Sequence, residues 1–171
     1  MLSKIAGGAL VVAAASGIGC KKAARYKSRV KDISAFSSGL WLLKSEIDFS
    51  GHTLSHALKL CANLIPENVS RIFCLTANYI DGGDTPGEAF DKAADSEADS
   101  LAIENEEKAV LCEFFAVLGT KNTETEKENI EKTIKRLKAC EKSARENNEK
   151  YGKLCRVCGV SAGILTAVFL F

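Results

Sequence analysis

A chain of 171 residues, 26% charged and 46% hydrophobic with a formal net charge of +1, is long enough to bury one core and too near neutral for a general nucleic-acid binder. Seven cysteines cannot all pair internally. Cys61, Cys74, Cys112 and Cys140 fall within helical apolar patterns, where a free thiol behaves as a small buried hydrophobe, so the body of the chain is expected in a reducing compartment.

Ile5 to Gly19 is an apolar, Ala- and Gly-rich run ending at Cys20, a pattern shared by signal peptides, lipoprotein signals and membrane helices. Only Lys4 precedes it, whereas Lys21, Lys22, Arg25, Lys27, Arg29 and Lys31 follow it. That order marks the following residues as cytoplasmic. Gly17 stands where a lipidation site normally carries Leu, which weighs against lipidation at Cys20. Residues 1–20 are therefore read as an N-terminal transmembrane helix.

Apolar residues then recur at Tyr26, Val30, Ile33, Phe36, Leu40, Leu43 and Ile47, a spacing of 3–4 that predicts one long amphipathic helix ending near Ser50-Gly51. Thr53 caps a shorter helix through Leu54, Leu58, Cys61 and Leu64, which Pro66 stops. A third helix from Glu67 carries Val69, Ile72, Phe73, Thr76 and Ile80 and ends at Asp81-Gly82-Gly83. Gly83 to Phe90 repeats the Gly51 to Leu58 pattern at Gly, Thr and Ala, and Thr85 with Glu88 has capping-box spacing. From Asp81 to Glu107 there are ten carboxylates against Lys92 alone, and Ala93 to Asn105 reads as a loop or poorly ordered connection. A fifth helix runs from about Glu106 through Val110, Leu111, Phe114, Phe115 and Leu118 to Gly119.

Asn122 or Thr123 caps the last helix, which carries Ile130, Ile134 and Leu137 on one face and continues without Pro into an uncharged tail from Val157 to Phe171. Lys150, Lys153 and Arg156 on its near side again mark the cytoplasmic face. The expected fold is all-α, an antiparallel bundle of about six helices whose first and last helices continue into membrane. The expected divisions are a transmembrane helix at 1–20, a cytosolic bundle at 21–153 and a second transmembrane helix at 154–171, with both termini on the non-cytosolic side.

Chemistry-bearing patterns are few. His52 and His56 stand four apart, but the Glu of a zinc-hydrolase motif is missing and His52 precedes the cap. Cys155-x-x-Cys158 is half of a zinc or redox site without a second pair, beside Gly159 and Gly163, which have the spacing of a small-residue contact between membrane helices. No Walker loop, GxGxxG, GxSxG or HExxH occurs. We therefore expect no catalytic residue, no metal site, no cofactor and no small-molecule substrate. Glu46 and Glu88, each next to an apolar face, are the candidate partner contacts. A membrane-anchored metal or thiol-redox sensor using His52, His56 and the cysteine pair is the alternative reading.

An order of short motifs carries a resemblance: a membrane helix, Arg25-Tyr26, Leu40 to Ile47, Gly51-His52-Thr53, Leu118-Gly119, Glu149 to Leu154 and Gly159-x-x-x-Gly163. In this order the chain resembles the stage III sporulation protein AB family of endospore-forming bacteria over nearly its full length. The family tends to carry Pro after the His-Thr, and Asp and Gln at the start of the last helix, where Leu54, Asn122 and Glu126 stand here. The resemblance implies a subunit of the complex joining mother cell and forespore, held in the mother-cell membrane around the forespore. It also implies a cytosolic domain similar to the platform protein of type II secretion and type IV pilus machines. The partners so implied are a secretion-type ATPase, other membrane subunits and the lipid bilayer.

Overall fold

The computed structural model describes the backbone of residues 2–49, 53–119 and 123–170. Within these it describes the side chains of 19–47, 53–119 and 124–152, and of a few positions beyond, among them Leu154 and Val157. Six helices and no strand occur among the described residues: α1 Leu2–Phe49, α2 Leu54–Ala62, α3 Glu67–Asp81, α4 Pro86–Ser96, α5 Asn105–Val117 and α6 Thr123–Leu170. The chain divides into two compact units, a bundle unit of Lys31–Lys142 and an outer unit of Met1–Val30 with Ser143–Phe171. α1 and α6, each 48 residues long, contribute to both units.

The helices of the bundle unit begin and end on local chemistry. Thr53 takes extended backbone angles and its side chain accepts the His56 N–H, capping α2. Thr85 caps α4 through a reciprocal box in which its hydroxyl accepts the Glu88 N–H and the Glu88 carboxylate accepts the Thr85 N–H. Pro86 follows at the first helical position, where a missing N–H costs nothing. α3 ends in a Schellman arrangement: Gly83, at φ 101°, donates to the Ile80 carbonyl and Asp84 donates to that of Tyr79. α5 is followed by Gly119 at φ 80°, whose N–H is taken by the Glu126 carboxylate at 2.7 Å. Glu126 thus ties the α5 exit to the first turn of α6. Gly51 and Asn122, expected as a helix stop and a cap, lie outside the described residues.

Four phenylalanines from four helices form the centre of this unit: Phe36, Phe73, Phe90 and Phe115, all fully buried. Phe90 and Phe115 stack with ring centroids 4.4 Å apart, and Phe73 meets Phe115 edge-on at 6.5 Å. Leu40, Leu43, Leu58, Ile72, Leu111, Ile130 and Leu137 surround them, also fully buried. Each such side chain contributes about 1.5–3 kcal/mol by leaving water. Gly39 lets α1 approach closely, since a Cβ there would stand 2.8 Å from Cζ of Phe73.

Two expectations change. Leu64 lies beyond the end of α2 and is exposed, because the chain turns at Asn63 and Leu64 ahead of Pro66, with Leu64 N–H on the Cys61 carbonyl. The stretch 93–105 is a loop only from Glu97 to Glu104: α4 runs to Ser96 with Ala93 and Ala94 buried, and Leu101 and Ala102 of the loop enter the core. Its carboxylates face outward while its small apolar residues face in.

Among the described residues no helix is long and apolar enough to cross a membrane. The side chains of residues 1–16, and most of those from 158 to 171, lie outside the described set. In the outer unit the described buried positions include Gly19, Ala23, Ala144 and Gly152, all small, together with Arg29. Trp41, in the bundle unit, is the large aromatic left 64% exposed. It borders a shallow groove with Ser34, Ser38, Leu42 and Ile134.

Candidate functional site

The most developed surface concavity of known lining lies between α4 and α5, an open groove of about 470 Å³ bordered by Thr85, Gly87, Glu88, Asp91, Cys112, Glu113 and Ala116. Its floor is close because Gly87 faces the backbone of Ala116, where an added Cβ would stand 3.1 Å from the Ala116 Cα. Cys112 donates its S–H to Asp91 Oδ1 at 2.9 Å. Burial first, and this carboxylate second, push the Cys112 thiol up to about 12. It stands as a thiol at neutral pH and not as a thiolate nucleophile.

Glu88 therefore belongs to this groove, but its carboxylate is also engaged by the hydroxyl and N–H of Thr85, which hold it below the usual carboxylate range. Glu113 pairs with Arg136 of α6, Asp84 with Lys92 at 2.7 Å, and Asp95 with Lys108 at 2.6 Å. These pairs leave the α4–α5 face negative through Glu88 and Asp91. Such a face can accept hydrogen bonds from lysine or arginine side chains of a protein partner.

Glu46 is placed elsewhere, half-buried near the end of the described part of α1. Burial first and the charge of Glu46 second push the buried Cys61 thiol up to about 12. Cys20, Cys61, Cys74, Cys112 and Cys140 are all free thiols. His56 is exposed on α2, and His52 lies outside the described residues. The side chains of Cys155 and Cys158, and the surroundings of Gly159 and Gly163, also lie outside them. Glu106, Glu107 and Cys140 bring donor atoms within 4.8 Å of one another. Glu107, fully buried, is committed to accepting the Glu104 N–H at 2.7 Å at the start of α5.

One polar residue organises the bundle and escapes the periodicity. Asp32, 5% exposed, accepts the Ala102 N–H at 2.9 Å. It also takes a hydrogen bond from the Asn68 side chain. Burial raises its carboxyl above the ordinary 3.8, and the Ala102 and Asn68 hydrogen bonds and the charge of Lys31 oppose that rise. Asp32 thus pins the acidic connection between α4 and α5 to α1 and α3. Only its position at the end of the basic run, as the first acidic residue of the chain, sets it apart in the sequence.

Fold and side chains together define an all-helical bundle protein, opened and closed by its two longest helices. The model of the stage III sporulation protein AB family matches residues 4–171, and the chain belongs to that family. It is similar to the stage III sporulation protein AB of Bacillus subtilis (strain 168), with 27% identity over 169 residues, 98% of this chain and 98% of that one. A solved structure of a stage III sporulation protein AB matches with a TM-score of 0.65 at 24% identity, over 71% of this chain and 96% of that chain, which shows the shared fold. Membership of the family gives the chain a role in sporulation.

Proposed function

We propose that this chain is a non-enzymatic, membrane-anchored assembly subunit of a sporulation channel complex linking mother cell and forespore, and that its bundle engages a secretion-type ATPase. The observation that carries the reading is the pair of 48-residue helices α1 and α6, which run unbroken from the bundle core to the two apolar ends of the chain. A platform between a cytosolic motor and a membrane needs chain that is continuous from one to the other. Further support comes from the apolar runs at Ile5–Gly19 and Val157–Phe171, each followed inward by basic residues, which argue for the mother-cell membrane with the bundle in the cytosol. The α4–α5 face supplies an acidic contact for the motor, with Glu88 at its edge, and Glu46 supplies a second acidic position. Gly159 and Gly163 would pack against other membrane subunits.

Tagged full-length protein, purified from sporulating-cell membranes, tests this. Recovery of a secretion-type ATPase, lost when Glu88 is replaced by Gln and Asp91 by Lys, is the expected result. An ATPase that never co-purifies would sink the platform reading. Cys112→Ser should leave spore formation unchanged if no chemistry occurs in the groove; a folded variant that blocks sporulation without losing any partner would point to catalysis instead.

A further inference from the structure

All 22 Asp and Glu side chains lie between Asp32 and Glu149, so residues 1–31 and 150–171 carry positive charge alone. These segments supply most of the outer unit. Lys21, Lys22, Arg25 and Lys27 are exposed on α1, and none has an ion-pair partner among the described residues. Four like charges on about two turns of helix repel one another, and an external anion relieves that repulsion.

A second set of groups narrows the anion. The rings of Tyr26 and Tyr151 stack at 6.2 Å with 26° between their planes, and Lys150 Nζ lies 5.4 Å from the Tyr151 ring. Tyr151 remains 38% exposed, and further along α6 Leu154 and Val157 are 54% and 63% exposed. Cations, amphipathic rings and bare aliphatic side chains are thus interleaved along the same stretch of the two helices, the mixture suited to a surface that offers headgroups and acyl chains together. A nucleic acid or an acidic protein surface would satisfy the cations and leave Leu154 and Val157 in water. An anionic lipid surface accommodates all three.

We infer that Lys21, Lys22, Arg25, Lys27 and Lys150, with the Tyr26–Tyr151 pair, form a collar that binds anionic lipid headgroups in preference to zwitterionic ones. This rests on the membrane reading proposed above and adds the class of lipid.

The test uses full-length protein, reconstituted from detergent into vesicles of phosphatidylcholine alone and of an equal mixture with phosphatidylglycerol. Flotation is scored first, and the ratio of the two lipids retained after mild re-extraction is measured second. The expected result is severalfold enrichment of phosphatidylglycerol at low salt, falling toward the bulk ratio as salt rises. Replacing the five collar charges by Gln together should bring the retained lipid close to the bulk ratio. Replacing Lys132, Lys135 and Lys138 of the bundle unit by Gln should leave the preference intact.

Protein that floats with both vesicles and retains lipid at the bulk ratio would overturn the collar and leave the membrane reading standing. Flotation with the mixed vesicles alone would support the collar and overturn a spanning anchor. No flotation with either would overturn both. Equal loss of preference in the bundle-lysine variant would assign the effect to total charge and overturn the collar.

Discussion

The two compact units of this chain are built on opposite principles although they share α1 and α6. The bundle unit closes on large side chains: four phenylalanine rings in mutual contact, ringed by buried Leu and Ile. In the outer unit the described buried positions are mostly Gly and Ala, and its aromatic pair, Tyr26 with Tyr151, stays partly in solvent. Burial of apolar area scales with side-chain size, so the large side chains of the first unit contribute much to its folding free energy, and the small buried side chains described in the second contribute little.

Perturbations of decreasing size sharpen this contrast. Phe115→Ala removes a ring in contact with three others and should cost about 3–5 kcal/mol, read as a lower urea midpoint at unchanged slope. A loss below about 1 kcal/mol would mean that the ring cluster does not hold the bundle.

Next in size is Asp32→Ala, which leaves the Ala102 N–H buried without an acceptor and should cost about 1–3 kcal/mol. Asp32→Asn keeps an acceptor and removes the charge. The folded carboxyl lies above its ordinary 3.8, so the proton it binds contributes stability that is full below 3.8 and is lost as pH rises through the folded value. Asparagine and wild type should therefore match at low pH, and the Asn variant should become the more stable as pH rises. Urea titrations at a series of pH values decide it, and a gap that narrows with rising pH contradicts the assignment.

Thr85→Ala deletes the α4 cap and should cost about 1 kcal/mol, with faster amide exchange confined to the first turn of α4. Smallest is Tyr151→Ala, about 0.5 kcal/mol or less in the same urea experiment, because the ring is partly exposed and contributes to the outer unit. A loss as large as that of Phe115→Ala would erase the distinction between the units.

Much of the bundle was legible because its signals are local. Thr53, Thr85 with Glu88, Gly83 and Gly119 announce helix ends through side chains and backbone angles that act within a few residues. The 3–4 spacing of Ile33, Phe36, Leu40 and Leu43 likewise names the buried face of α1. The acidic stretch is less legible because what packs it lies far away in the chain. Leu101 and Ala102 sit in an irregular segment with no period to detect, and their anchor, Asp32, is 70 residues upstream in a run that looks like solvated surface. Glu88 stands out in the sequence by its position beside an apolar face, whereas Asp91, Cys112 and Glu113 border the same groove only because Gly87 lets α4 and α5 approach. No spacing within one helix reveals such a groove.

Trp41 has a consequence for any laboratory that handles this chain. It is the only indole in 171 residues and is already mostly in water when the chain is folded. Its emission maximum should hardly move on denaturation, so intrinsic fluorescence is a poor gauge of unfolding, and far-ultraviolet circular dichroism of the six helices should be used instead. The same property makes the signal selective: a blue shift in the native protein reports that something has covered the groove beside Ser34 and Ser38, with no label attached.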